Sequence, residues 1–470
     1  LMDRDKGEIP APEGGWEIKG NHIKTRWAED VTPDNALPEY PRPQMEREQW
    51  MNLNGLWDYA IANSVTSVPE DYNGKILVPF AIESSLSGVM KPLEPGKILW
   101  YRREVSIPDD WAGKRVMINF GAVDNEAWVY VNGTESKNLV GNHRGGYSAF
   151  SFDITDYITD GKATIYVKVR DNTTDNGQPL GKQRRYPDGN GSIFYTSVSG
   201  IWQTVWLEPV EPTHIATMKI TPDVDASKFT FDIALEGTPS GKITVTLADN
   251  GNEVASQTID AAASNSIELS VGAPKLWSPA SPFLYDVNVT LADGDNTLDA
   301  FNSYAALRKI SYRKTEEGDW RFQLNNQDLY QFGPLDQGYW PDGLYTAPTD
   351  EALAFDLEKT KEWGFNMVRK HMKTEPDRWY YHCDRLGLMV WQDMPSQFNN
   401  HEGWVTDRYY EDHNCTQSRS IERMYRAEWK EIIDQLYSHP SIVVWTPFNE
   451  AWGQFDTEKI AEYTRQLDAT

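Results

Sequence analysis

The sequence predicts a multidomain protein, antiparallel β-structure first and parallel α/β structure last. Three observations carry this. Short β-type runs alternate with turn residues at hairpin spacing through about Tyr312, and after about Lys314 the period changes to amphipathic helices between continuous apolar strands. The length, 470 residues, corresponds to about three domains at roughly 150 residues each.

Residues 1–40, rich in Pro, Gly and charge, are expected to form an extended arm. From 41 to 210 the strands include Leu56-Trp57-Asp58-Tyr59, Val116-Met117-Ile118-Asn119-Phe120, Ala127-Trp128-Val129-Tyr130-Val131 and Thr164-Ile165-Tyr166-Val167-Lys168-Val169. Turns such as Asn132-Gly133 and Asp160-Gly161 separate them, which indicates an antiparallel sandwich without a helix of any length. Residues 211–313 repeat the pattern on a smaller scale, with alternation in Lys242-Ile243-Thr244-Val245-Thr246-Leu247. A stretch of about 100 residues of this kind fits an immunoglobulin-like sandwich.

In 314–470 the first strand is expected at Leu329-Tyr330-Gln331-Phe332. Thr349 then caps a helix whose first turn carries Asp350 and Glu351, and Gly364 follows its end. Phe365-Asn366-Met367-Val368-Arg369 is the second strand. Pro376 opens a helix with Trp379, Cys383 and Leu386 on one face, stopped by Gly387. Leu388-Met389-Val390-Trp391 is the third strand, and a helix over about 420–438 ends at His439-Pro440 before the fourth, Ile442-Val443-Val444-Trp445. Continuous apolar strands between helices mean a parallel sheet covered on both faces. A closed (β/α)₈ barrel needs eight strands and about 250 residues, so this part is expected to be the first half of one.

Lys and Arg total 45 against 70 Asp and Glu, a net charge of −25, which repels phosphate backbones and anionic headgroups. Nucleic-acid binding is a poor first guess. Apolar residues make up 39% with mean hydropathy −0.61, and no run approaches the roughly 18 residues of a bilayer span. Cys383 and Cys415 make neither a disulfide framework nor a zinc pattern, and Cys383 is expected to be an inert core thiol. The start, Leu1-Met2-Asp3-Arg4, lacks the charged and apolar regions of a signal peptide, which is expected to have been trimmed if it existed. The 19 Trp and 23 Tyr suit sugar faces, but large β-proteins also use Trp as core, and composition alone favours core.

In parallel sheets function gathers beyond the C-terminal strand ends. That places Arg369 and His371 after the second strand, Gln392 and Asp393 after the third, and Asn449 and Glu450 after the fourth. A carboxyl in an apolar aromatic surround can keep a raised pKa and serve as a general acid, and a neighbouring amide can hydrogen-bond a substrate hydroxyl.

The tract His439-Pro440-Ser441-Ile442-Val443-Val444-Trp445 running into Asn449-Glu450 resembles the acid/base strand of glycoside hydrolase family 2, the family of β-galactosidases, β-glucuronidases and β-mannosidases. Asn54-Gly55-Leu56-Trp57, Tyr130-Val131-Asn132-Gly133 and the run from Gly200 to Leu207 resemble its sugar-binding-type jelly roll. Leu276-Trp277-Ser278-Pro279 resembles its immunoglobulin-like domain, and Gly364-Phe365-Asn366-Met367-Val368-Arg369 and the run from Asp384 to Trp391 resemble its second and third barrel strands. The order and spacing of the set are more specific than any single motif.

The resemblance implies a jelly-roll β-sandwich, an immunoglobulin-like sandwich and the first half of a TIM (β/α)₈ barrel, and a retaining exo-β-glycosidase, β-galactosidase-like as first guess. Glu450 would be the general acid/base, Asn449 would hold the 2-hydroxyl, and Arg369 would orient the carboxylates. The nucleophile, a glutamate near strand seven, is expected to lie outside these 470 residues, which alone are expected to be inactive. The resemblance also implies a carbohydrate substrate, no cofactor, a possible homo-oligomer and a periplasmic or secreted location.

Each assignment has a plainer alternative. Glu450 could close a strand at the surface, Arg369 could be an internal ion-pair partner, His371 a hydrogen-bonded support and Asp393 a helix cap. Trp391 and Trp445 fit packing better than stacking on sugar, whereas Trp452, beyond the strand, has the better claim to stacking. Three departures from the family bear on which sugar is bound. The arginine and histidine usual after the first strand are replaced in Phe332-Gly333-Pro334-Leu335-Asp336-Gln337, Arg369-Lys370-His371 is one residue shorter than usual, and Gln392-Asp393 is closer to the mannosidase pattern. The loop of Asp336, Gln337 and Trp340 either shapes the pocket or is structural. A carbohydrate-binding protein without catalysis is the rival function.

Overall fold

The structure is a computed structural model that describes residues 15–172, 178–184, 193–396, 419–449 and 453–470. Two antiparallel sheets form the first sandwich. One orders Met51–Asn52, Val205–Val210, Arg115–Phe120 and Phe150–Asp153, and the other orders Gly74–Val78, Gly55–Ala62, Ile98–Ser106, Lys162–Arg170, Glu126–Val131 and Leu139–Arg144. Period-two burial drives the pairing: Ala163, Ile165, Val167 and Val169 turn inward from one strand while their neighbours face outward. They meet Ile118, Phe120 and Leu207 of the opposing sheet in one apolar cluster.

The second sandwich packs His214–Asp223, Lys228–Glu236 and Ser264–Ser270 against Asn252–Asp260, Lys242–Asp249, Tyr285–Asp293 and Asn296–Ala305. Ile243, Val245 and Leu247 point inward there. Arg47 ties the two sandwiches together, pairing Asp299 through Nε and Nη2 (2.9 and 2.8 Å) and Glu208 at 3.0 Å.

The third region is a four-stranded parallel sheet, β1 (Leu335–Asp336), β2 (Met367–Lys370), β3 (Met389–Asp393) and β4 (Ile442–Thr446). Its helices are α1 (Asp350–Glu362), α2 (Asp377–Leu386), α3 (Arg419–Leu436) and α4 (Thr457–Leu467). Thr349 caps α1, its hydroxyl accepting from Ala352 N–H. Gly387 ends α2 in the left-handed conformation, φ 74°.

The first strand lies further along than the sequence suggests. Tyr330 and Phe332 are exposed, and parallel pairing begins only at Leu335, opposite Arg369. An apolar run chosen by composition marked the approach to the sheet, whereas the strand itself is two residues long and carries an aspartate. Trp57, Trp100, Trp202, Trp277, Trp379 and Trp429 are fully buried, as the core expectation requires, and Cys383 is buried as a free thiol. Cys415 lies outside the described residues. Among the described residues no helix is long and apolar enough to cross a membrane.

α3 also joins the first sandwich to the barrel. Glu428, Glu431 and Gln435 lie along one face of it. Glu428 accepts from Tyr147 N–H (3.1 Å), Glu431 from the Ser148 hydroxyl (2.7 Å), and Gln435 from Ala149 N–H (2.9 Å).

Candidate active site

Strand parity decides which side chains meet. Arg369 pairs with Trp391 and Lys370 with Gln392, so Arg369, Trp391 and Asp393 share one face and Lys370, Val390 and Gln392 the other. Val368 and Val390 pack with Leu353, Leu357 and Cys383, which makes the second face the one beneath the helices. Met367, Met389 and Trp391 pack with Trp277 and Leu284 on the opposite face.

On that opposite face Arg369 grips Asp393 with two parallel hydrogen bonds, Nε to Oδ1 at 3.0 Å and Nη2 to Oδ2 at 2.9 Å. Nη2 also donates to Oδ1 of Asn449 at 3.0 Å, joining β2, β3 and the segment after β4. His371 Nδ1 lies 3.0 Å from Asp393 Oδ2, and Met372 N–H donates to the same oxygen at 3.3 Å. Asp393 is fully buried, and both its oxygens serve these donors. The arrangement makes it a holder of Arg369 and His371 instead of a helix cap. Because a guanidinium only donates, the Asn449 amide must turn its oxygen to Arg369 and its Nδ2 donor elsewhere.

Gln392 is not part of this cluster. It is buried on the helix side, where Oε1 accepts from the Tyr380 hydroxyl (2.5 Å) and Nε2 donates to the carbonyls of Lys373 (2.7 Å) and Asp393 (2.8 Å). A strand end that delivers Asp393 to one face must deliver its predecessor to the other. Glu450 and Trp452 lie outside the described residues. Trp445 meets Trp429 of α3 edge-on with centroids 5.6 Å apart, a packing role as expected.

Behind Arg369 lies a charged network that strand-end reasoning missed. Lys370 Nζ bridges Asp336 (2.8 Å) and Glu375 (2.9 Å), while Lys373 Nζ meets Glu375 (2.7 Å) and the carbonyls of Gly338 (2.6 Å) and Tyr345 (2.8 Å). Burial alone would lower the Lys370 ammonium, but Asp336 and Glu375 outweigh it and hold it above its ordinary value. For Lys373 burial prevails over Glu375, and its pKa falls to about 8. Burial would raise Asp336, yet Lys370 keeps it below the usual carboxylate range. The available signal was charge every second or third residue in Lys370, Lys373 and Glu375, where a buried segment should be apolar. The network ties the loop after β1 to the loop after β2, so Asp336 has an ion-pairing role at the place where the family usually carries its arginine and histidine.

The two cavities that border the barrel sheet or its junction with the sandwiches, among the described residues, lie elsewhere. One of about 270 Å³, lined by Arg42, Trp206, Met218, Tyr345 and Asp377, sits where the sandwiches meet the barrel. Another of about 740 Å³ flanks β1 on the helix side, lined by Asp336, Tyr339, Phe355, Lys370 and Glu375. Neither includes Arg369, Asp393 or Asn449, so hydrogen-bond geometry and strand position identify the candidate site. Among the described residues no three His, Cys, Asp or Glu side chains are arranged to hold a metal ion.

The site stands on a family framework. Residues 50–208 match the family model described as glycosyl hydrolases family 2, sugar binding domain. Residues 213–308 match glycosyl hydrolases family 2, and 322–470 match glycosyl hydrolases family 2, TIM barrel domain. A Formosa agariphila protein is 31% identical over 443 residues, covering 92% of this chain and 38% of its own length. A beta-galactosidase of Thermoanaerobacter pseudethanolicus is 27% identical over 448 residues, covering 89% of this chain and 54% of its own. The chain thus spans about two fifths to half of these relatives' lengths. The solved beta-D-glucuronidase of Dictyoglomus thermophilum superposes with a TM-score of 0.73 at 21% identity, over 92% of this chain and 72% of that one, a likeness of fold. Three matched models in one order, on the two sandwiches and parallel βα units described above, make this chain a member of glycosyl hydrolase family 2.

Proposed function

We propose that this chain supplies the acid/base side of a retaining exo-β-glycosidase site. The observation that carries the proposal is the Arg369 bridge, which pairs with Asp393 and simultaneously fixes the amide oxygen of Asn449 at 3.0 Å. With its oxygen occupied, Asn449 presents a donor to a sugar 2-hydroxyl, and such a contact strengthens as the oxocarbenium-like transition state forms. Glu450, the next residue, protonates the leaving glycosidic oxygen and then activates water. A second carboxyl about 5–5.5 Å away acts as nucleophile, as retention requires. No residue of this sequence is assigned to that role.

For the sugar, a β-galactoside is the first expectation and a β-glucuronide the second, and the relatives include enzymes named for each. The proposed location is periplasmic or secreted, with no cofactor. The test is hydrolysis of aryl β-galactosides, β-glucuronides and β-mannosides by the complete protein, with NMR of the first-formed anomer. The expected result is retention, with Glu450→Gln lowering kcat/KM on those aryl glycosides whose phenol is a poor leaving group by about 10³-fold or more, the upper part of the usual general-acid contribution. Inversion, full activity in Glu450→Gln, or sugar binding without turnover would reject the proposal.

A further inference from the structure

Met372, immediately after His371, has φ 56°, the left-handed conformation that side chains other than glycine seldom adopt. That turn aims its N–H at Asp393 Oδ2, so the Arg369 guanidinium, His371 Nδ1 and the Met372 amide converge on one buried carboxylate. The Met372 carbonyl faces the other way, against Gly181 of the jelly roll. Gly181 is itself left-handed, φ 57°, and a Cβ there would overlap the Met372 oxygen while lying 3.0 Å from the Tyr147 hydroxyl and 3.2 Å from that of Tyr345. Two left-handed residues from different domains therefore meet backbone to backbone.

The jelly-roll side of this contact is held by hydrogen bonds. Gln183, almost fully buried, donates through Nε2 to Asp124 (2.7 Å) and the Tyr147 hydroxyl (3.2 Å) and accepts from Val198 N–H (2.7 Å). On the barrel side Thr374 donates its hydroxyl to the Tyr147 carbonyl at 2.8 Å. The β2–α2 loop, from His371 to Thr374, is thus clasped from outside the barrel.

We propose that the jelly roll is part of the machinery of the substrate pocket and that Gly181 is a positioning residue, holding the Met372 peptide so that His371 and Arg369 stay aligned on Asp393. This rests on the glycosidase reading and assigns a positioning role to a residue of the jelly roll. The Gly181 requirement is for space as much as for backbone freedom, which gives a discriminating pair of variants: Gly181→Ala, and Gly181→Asn, whose residue tolerates the left-handed conformation but carries a Cβ.

In the complete protein both variants are expected to lower kcat by about tenfold or more with KM within about threefold, the scale set by small misplacements of catalytic groups. Amide hydrogen exchange over 367–374 is expected to quicken in both. Thr374→Val is expected to move the same two readouts in the same direction by a smaller factor. Parent-like kcat and exchange in Gly181→Asn would overturn the proposal, as would a fall in kcat in folded Gly181→Ala with exchange over 367–374 unchanged. If neither glycine variant folds, unchanged exchange and kcat in Thr374→Val would overturn it. A parent protein that hydrolyses no glycoside would refute the glycosidase reading, and the exchange measurements would still decide whether the jelly roll holds this loop.

Discussion

Asp393 shows how far strand-end reasoning reaches at the scale of a residue. Parallel topology placed Arg369, His371, Asp393 and Asn449 at neighbouring strand ends, and the structure brings the four together in one chain of hydrogen bonds. Their roles were less legible, because a role depends on which atoms are already occupied. Both oxygens of Asp393 already meet protein groups, Oδ1 the Arg369 Nε and Oδ2 the Arg369 Nη2, His371 and Met372, whereas the Asn449 amide turns its oxygen to Arg369 and its donor away from it. Arg369→Lys is therefore informative. It keeps the charge but cannot span Asp393 and Asn449 with a planar fork, so kcat/KM on the preferred aryl β-glycoside is expected to fall by about 10²-fold, within the range that loss of a positioned contact produces. Steady-state kinetics beside a thermal melt check it, and near-parent kcat/KM in the folded variant would mean that the bridge is merely structural.

At the scale of elements, helix ends were the most legible features. Thr349 and Gly387 signal start and stop through local chemistry, and both do so in the structure. Strands were less so: β1 was expected at 329–332 and lies at Leu335–Asp336 because pairing with β2, a contact more than thirty residues distant, selects the register. Parity explains the misplaced Gln392, which faces Tyr380 beneath the helices. Gln392→Leu is accordingly expected to leave KM within about twofold while destabilising the protein by about 1–3 kcal/mol, since the Tyr380 hydroxyl and the Lys373 carbonyl lose a buried partner. Calorimetry and kinetics on one preparation separate the effects, and a large rise in KM at unchanged stability would restore Gln392 to the pocket.

At the scale of the whole molecule the seam between jelly roll and barrel carries buried acid. Burial, helped by neighbouring Glu431, pushes the Glu428 carboxyl up to about 8, against hydrogen bonds from the Tyr147 and Gly146 amides. Burial likewise raises Asp124 across the seam, and His143 pairs with Glu431 at 3.1 Å. A folded-state pKa above the unfolded value means that the unfolded chain releases its proton first. The stability due to neutral Glu428 is thus present below the ordinary carboxylate range and is lost as pH rises toward about 8. Glu428→Gln keeps an acceptor for Tyr147 N–H without the titration, so its melting temperature is expected to exceed the parent's by a few degrees at pH 8–9 and to match it near pH 5. Melts across that range decide, and parallel curves would show that Glu428 is not the titrating group.

The sequence by itself determined the order of domains, the family and the strand ends at which Arg369, His371, Asp393 and Asn449 meet, because hydrophobic period, capping residues and short motifs are local signals. Only the tertiary structure decided that Asp393 pairs with Arg369 and lies against His371, that Gln392 faces away, that Lys370, Lys373, Asp336 and Glu375 form one network, and that Gly181 of the jelly roll meets Met372 of the barrel. Those outcomes depend on parity between strands and on contacts between residues nearly two hundred positions apart, and neither is written in any short stretch of sequence. The tryptophans illustrate the division: their number suggested either core or sugar platforms, and packing across the sheets placed most of them in the core.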